Sequence, residues 1–268
     1  MMATTAAPIA IVSPLGGAGR TTLTAHLATL VAMQGRPCLA IDLCRQSTLG
    51  RHLGAPESNQ TGWATLAAQG QWWGGAALSN SDAVGWLPFG AVSLPELAAL
   101  QHAWALSPDW LQNRLQDLDV PADSAIFLDT PTWPAPLSCQ AMAVASVVLI
   151  VLEASDRACH AQALVEQALA QAPAGVPYAI AINRIDPRRP SQRTALQTLR
   201  AQWCDVLLPY SVHEDENIAQ ACGQATNVCA WAPQAQSSHD LQGISQWLMN
   251  HLPTAPQATP HTPLVQPA

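Results

Sequence analysis

Ser13-Pro14-Leu15-Gly16-Gly17-Ala18-Gly19-Arg20-Thr21-Thr22 follows directly on the apolar run Pro8 to Val12. Glycines packed this densely let successive backbone N–H groups close round a phosphate, and a helix starting near Arg20 aims its positive end at the same anion. The stretch therefore reads as a phosphate loop, set between a buried strand and a helix as such a loop requires. A plain tight connection is the structural alternative. The lysine that such loops usually carry is Arg20 here, and the chain contains no lysine at all. Phosphate binding and hydrolysis are thus separable properties of this loop.

Outward from the loop, short apolar runs alternate with helical stretches: Ile9 to Val12, a helix over Thr21 to Gln34, then Cys38 to Asp42, Gly85 to Phe89, Ala125 to Asp129, Ser146 to Leu152, Val176 to Ile182 and Asp205 to Pro209. Apolar runs of four to eight residues between helices predict buried parallel strands, and hence an α/β fold built on a doubly wound, mostly parallel sheet. Several strands end in a polar residue, namely Asp42, Asp129, Glu153 and Asn183. Ligands of open parallel sheets lie beyond the carboxyl ends of the strands, where these side chains sit. Residues 1–7 read as a loose start, residues 8–252 as one domain, and the proline-rich stretch 253–268 as a disordered tail.

Asp129, at the end of Ala125-Ile-Phe-Leu-Asp129, has the position and type of a Walker B carboxylate. Asp42 ends the strand after the loop helix. Two carboxylates and the Thr21 hydroxyl make a candidate Mg2+ site, since hard cations take oxygen ligands and keep several waters. An aspartate at a strand end can equally be an N-cap.

Composition narrows the field. Net charge is −7, only 11% of residues are charged, and no lysine or arginine follows Arg200, so nothing offers the basic face that nucleic-acid binding needs. The seven cysteines are scattered through apolar stretches without Cys-x-x-Cys spacing or a secretory signal, which predicts reduced thiols in a cytoplasmic protein. Apolar runs fall short of the roughly 20 residues a membrane span requires. Six tryptophans, Trp63, Trp72, Trp73, Trp86, Trp104 and Trp110, crowd one stretch and read mainly as core, with Trp72 and Trp73 beside Gly74-Gly75 as candidates for a partner surface. Leu241, Ile244, Leu248 and Leu252 share one helical face; without basic flanks, that face is expected to pack on the sheet rather than on a membrane.

These motifs together resemble the MinD/ParA class of deviant Walker P-loop ATPases: Gly-Gly-x-Gly-basic-Thr-Thr, strands ending in Asp42 and Asp129, and a late strand ending in Asn183-Arg184. Over about residues 8 to 232 the chain more closely resembles the BcsQ family, MinD-like accessory proteins of bacterial cellulose synthase operons. That likeness rests on Gly62-Trp-Ala-Thr-Leu-Ala-Ala-Gln-Gly-Gln-Trp-Trp73, Leu87-Pro-Phe-Gly90 and Val212-His-Glu-Asp-Glu-Asn-Ile-Ala-Gln-Ala221. The resemblance implies ATP and Mg2+ as cofactors. It assigns Gly16, Gly17, Ala18, Gly19, Arg20, Thr21 and Thr22 to the phosphates, Thr21 with Asp42 and Asp129 to the metal, Asn183 to the adenine, and makes Asp42 a catalytic candidate.

It also implies a homodimer, a small BcsR-like partner, and components of the cellulose synthase complex like BcsA or BcsE. These would recruit the protein to the cytoplasmic face of the inner membrane. Two departures point to slow turnover or none. The signature lysine of the class, just before the paired glycines, is Leu15, and the second aspartate that orients water in active members is Cys44. A thiol of ordinary pKa about 8.5 is a poor base for water. The expectation is a nucleotide-binding regulatory adaptor, with an active MinD-like positioning ATPase as the alternative. An iron–sulfur carrier is disfavoured by the missing Cys-x-x-Cys, and a tyrosine kinase by a chain whose only tyrosines are Tyr178 and Tyr210.

Overall fold

The computed structural model describes residues 6–55, 61–82 and 84–253. Eight strands, β1 (Ala7–Val12), β2 (Cys38–Asp42), β3 (Leu78–Ser79), β4 (Val84–Leu87), β5 (Ala125–Asp129), β6 (Val147–Glu153), β7 (Tyr178–Ile185) and β8 (Leu207–His213), form one sheet in the order β3-β4-β2-β5-β1-β6-β7-β8. All neighbours are parallel except the β3–β4 edge pair. The helices covering the sheet are α1 (Arg20–Met33), α2 (Leu49–His52), α3 (Trp63–Ala68), α4 (Leu94–Leu106), α5 (Trp110–Gln116), α6 (Pro136–Val144), α7 (Asp156–Cys159), α8 (Gln162–Leu169), α9 (Pro190–Gln202), α10 (Glu216–Gly223), α11 (Val228–Trp231) and α12 (Gln236–His251). The expected α/β, doubly wound, mostly parallel architecture is the one observed.

Runs such as Val147-Val-Leu-Ile-Val-Leu152 are apolar at every position because both faces of the sheet are covered. Odd and even residues of the central strands accordingly serve two cores. Ala10, Ile126, Leu128 and Ile150 face one, with α6 and the tryptophan-rich segment. Ile9, Ile11, Phe127 and Leu149 face the other, with α1 and α12. β1 lies between β5 and β6, where the winding direction reverses, so the loop after Val12 opens into the crevice at the carboxyl end of the sheet.

Some boundaries differ from the sequence reading. β1 begins at Ala7, itself fully buried, so the packed chain starts inside the stretch 1–7 expected to be loose; residues 1–5 lie outside the described residues. Of the expected tail 253–268, only Pro253 is described; its carbonyl accepts from Arg36. β8 runs on to His213 through Pro209, which an edge strand tolerates because its outward N–H needs no ladder partner. β3, only two residues long, carries no periodicity that a sequence could display.

The tryptophans read mainly as core, and of the two candidates for a partner surface Trp73 does not qualify. Instead it is buried, 1% exposed, in a cage with Trp63 and Trp110, while Trp104 and Phe89 also pack on Trp63. Trp72 is 58% exposed. The indole of Trp63 donates to the Asp42 backbone carbonyl at 2.7 Å, which ties this cage to the end of β2. Leu241, Ile244, Leu248 and Leu252 are buried, and α12 packs beside β8 and α1 as its apolar face predicts. No helix among the described residues is long and apolar enough to cross a membrane.

Candidate functional site

Gly17 and Gly19 have φ values of +83° and +89°, left-handed conformations that a side chain would strain. They fold residues 13–19 back over the end of β1 and present Gly19 as the N-cap of α1, without a capping side chain and with no acidic residue in the first turn. A helix N-terminus left open in this way carries unsatisfied N–H donors and the positive end of the dipole. Asn183, on β7, closes the far side: its amide donates to the Ala18 carbonyl at 2.8 Å and lies against the open face of Gly19.

The Arg20 side chain turns back on its own loop. Its guanidinium donates to the carbonyls of Ser13 and Leu15, both at 3.2 Å, and to the Thr132 hydroxyl at 3.0 Å. Two further arginines reach the loop from neighbouring strand ends. Arg157 donates to the Gly16 carbonyl at 3.0 Å, and Arg184 to that of Gly17 at 3.5 Å while pairing with Glu153 and Glu214. Sequence reasoning missed Arg157 and Thr132. The only signal for either was its place just beyond the end of a strand pointing at the loop.

At the centre, β2 and β5 pair in a register that sets Asp42 directly beside Asp129. Thr21, in the first turn of α1, donates to Asp129 Oδ2 at 2.7 Å. Asp129 Oδ1 is buried and has no hydrogen-bond partner among the described residues. Ligating atoms of Asp42, Cys44 and Asp129 lie within 4.8 Å of one another, all three residues buried. Burial pushes the Asp129 carboxyl up to about 6, against the opposing pull of the Thr21 hydroxyl and Arg20. Burial and the neighbouring Asp129 charge drive Asp42 well above the carboxylate range. Two buried carboxylates this close disfavour each other's ionisation, a repulsion that a bound cation would relieve.

Asp42 also has a structural task. Its Oδ1 accepts from the Cys44 N–H at 2.9 Å and its Oδ2 from the Leu49 N–H at 3.0 Å, which starts α2. The Cys44 thiol donates to the Asp129 backbone carbonyl at 3.6 Å, and burial followed by the two carboxylates raises its pKa far above the ordinary value. It stays protonated at neutral pH.

The donor set suits Mg2+, with oxygen ligands only from Thr21 and Asp129 and one carboxylate oxygen without a partner among the described residues, while the uncapped helix N-terminus alongside suits an anion. Beside the loop opens a cavity of about 410 Å3 lined by Gly19, Thr22, His52, Asn183, Arg184 and Asp215 among others, large enough for a nucleoside. Asn183, expected at a base, lines this cavity while also bracing Ala18.

The family described as "Cellulose biosynthesis protein BcsQ" matches residues 8–249. Similar curated proteins include the cellulose biosynthesis protein BcsQ of Escherichia coli strain K12, 28% identical over 238 residues, covering 88% of this chain and 92% of that protein. Its counterpart in Salmonella typhimurium strain LT2 is 28% identical over 239 residues, covering 88% and 91%. Among solved structures, the septum site-determining protein MinD of Pyrococcus horikoshii, complexed with Mg-ADP, superposes with a TM-score of 0.71 at 23% identity over 90% of this chain and 94% of that one. A variant of Cyanothece McdA in complex with ATP gives 0.73 at 20% identity over 93% and 97%. At such identities these two structures speak to the fold alone.

Proposed function

The chain belongs to the BcsQ family of cellulose biosynthesis proteins, and on that premise we propose that it is a nucleotide-dependent adaptor of the cellulose synthesis and secretion machinery. It binds ATP with Mg2+ and pairs with a second copy across the phosphate-loop face. The pair then serves as a platform for a small BcsR-like protein and for BcsA- or BcsE-like components at the cytoplasmic face of the inner membrane. Support for the nucleotide comes from relatives of the same fold solved with Mg-ADP and with ATP.

The observation that carries this reading is the buried Thr21–Asp129 pair at the mouth of an uncapped, glycine-lined helix N-terminus, with one carboxylate oxygen left open. In the proposed bound state Thr21 and Asp129 hold Mg2+, directly or through water, and Asp42 stands beside them. The backbone N–H groups of Gly16 to Thr22 bind phosphate oxygens, and Arg20, Arg157 and Arg184 keep the loop in the shape that makes this possible. When bound, the cation supplies charge neutralisation at the phosphates. Phosphoryl transfer also needs a positioned water and concentrated positive charge. At the strand end where a base would stand, Cys44 offers a buried, protonated thiol. Leu15 offers no charge at the other position.

Hydrolysis is therefore slow or absent, and the bound state is long-lived. Calorimetry with ATP in the presence and absence of Mg2+ tests the first half: Mg2+-dependent binding is expected, and a folded protein that binds no ATP refutes the proposal. Turnover well above about one per minute, far beyond an unassisted phosphoryl-transfer switch, would remove the adaptor reading in favour of a cycling ATPase.

A further inference from the structure

Basic residues are unevenly placed in this acidic chain: Arg184, Arg188, Arg189, Arg193 and Arg200, five of its 11, fall within seventeen residues. Not all are available. Arg184 pairs with Glu153 and Glu214, and Arg188 and Arg189 both close on Asp186. Arg193 and Arg200 are exposed and make no ion pair among the described residues; Arg193 donates only to the Pro187 carbonyl. Both lie on α9, seven residues apart and so on one face, with Leu196 between them.

That face borders a cleft of about 270 Å3 wrapped round β8, the free edge of the sheet. Ile185, Leu196, Pro209 and Tyr210 give it apolar walls, and Tyr210, 44% exposed, lies flat on α12 where Gly243 has no side chain to lift it. The one carboxylate in the lining, Asp240, is already engaged: it accepts from the His213 ring at 2.8 Å, from the His213 N–H, and from Gln236. The cleft thus presents two unpaired cations above an aromatic floor.

We propose that this cleft is a docking site for an acidic, extended segment of a partner protein, with two carboxylates three residues apart flanking an apolar or aromatic side chain. Seven helical residues span about 10 Å; an extended segment of polyproline-II type, with three residues per turn, returns to the same face every three residues, about 9 Å on, so carboxylates at i and i+3 match Arg193 and Arg200. Charge complementarity selects the partner's sign and the apolar walls select a side chain over a bare anion. A lipid surface fits less well, because two cations in a concave cleft supply little of the attraction that a membrane-binding basic patch needs.

The test uses the full chain and a fluorescein-labelled peptide, Thr-Val-Glu-Phe-Val-Glu-Val-Thr, beside a control with glutamine for both glutamates. The acidic peptide is expected to saturate in anisotropy with a Kd below about 1 mM and to weaken with added salt, whereas the control binds at least about tenfold more weakly. R193E/R200E, on an exposed face and checked for an unchanged Tm, should lose the same factor. Gly243→Ala should weaken binding without any change of charge, by displacing Tyr210. Equal binding to the wild type and R193E/R200E, or no binding of the acidic peptide at all, overturns the proposal. So does arginine-dependent binding to vesicles containing phosphatidylglycerol without peptide binding, which would make the surface a lipid contact.

Discussion

Thr21 and Asp129 form the smallest unit on which the proposed nucleotide binding depends. Thr21→Ala removes one oxygen ligand and the hydrogen bond that orients Asp129, and should weaken Mg2+-dependent ATP binding by about tenfold or more while leaving metal-free binding little changed. Calorimetry with and without Mg2+ separates the two effects. The pH dependence of binding follows in sign from the raised carboxyl pKa. Above about pH 6 Asp129 is ionised and ready for the cation, whereas below it Mg2+ must displace a proton, so affinity should fall as pH falls through 6. Cys44→Asp places a third carboxylate in the same buried cluster. It should lower the stability of the free protein by about 1–3 kcal/mol, with Mg2+-ATP restoring part of the loss, and should raise turnover above that of the wild type. A variant as stable as the wild type would mean that the cluster is less desolvated than its burial indicates.

Helix α1 joins this site to the core, and its own chemistry gives a separate expectation. His26, fully buried, donates from Nδ1 to the Thr22 carbonyl (2.9 Å), while its Nε2 has no partner among the described residues. Burial, then the nearby His52, lowers its pKa to about 4. The unfolded chain takes up a proton near pH 6.5 and the folded one only near 4, so this group destabilises the protein progressively as pH falls between those values. Its share reaches about 3 kcal/mol at the lower end. The raised carboxyls of Asp42 and Asp129 act in the opposite direction over an overlapping range, so the difference between wild type and His26→Leu is the informative quantity. Denaturant midpoints should show the wild type losing stability relative to His26→Leu from pH 6.5 to 4; a constant difference would mean His26 titrates normally. At the same scale, four apolar residues on one face announce a helix over 240–252, and the observed one, Gln236–His251, starts a turn earlier, whereas no such pattern announces the burial of Trp73. Its place in the cage depends on Trp110, 37 residues later, through a contact no local pattern records.

For the whole molecule, the proposed pairing buries the phosphate-loop face. Light scattering in the presence of the partner should show a shift from monomer towards dimer with Mg2+-ATP, by mass action on the nucleotide-bound form. Gly17→Glu, which places a charged side chain at a left-handed position on that face, should abolish it. A protein that binds ATP yet stays monomeric at every concentration would leave a single-copy scaffold. The cleft at the β8 edge of the sheet is two strands removed from the loop after β1.

By itself the sequence determined the α/β class, the glycine-rich turn between the first strand and the first long helix, most strand positions and the place of Asp42 and Asp129 at strand ends. These are carried by local signals: glycines at a strand-to-helix turn, unbroken apolar runs, and acids at strand ends. Only the tertiary structure decided what those residues do to one another. The parallel register of β2 and β5 sets the two carboxylates side by side, where the Asp129 charge adds to burial in raising the Asp42 pKa. Backbone donors at Cys44 and Leu49 engage Asp42, and loop carbonyls engage Arg20, both of which the residue types alone had assigned to ligands. Burial, hydrogen-bond partners and charge separation depend on contacts between segments far apart in the chain, and a linear pattern carries the identity of a side chain but not the company it keeps.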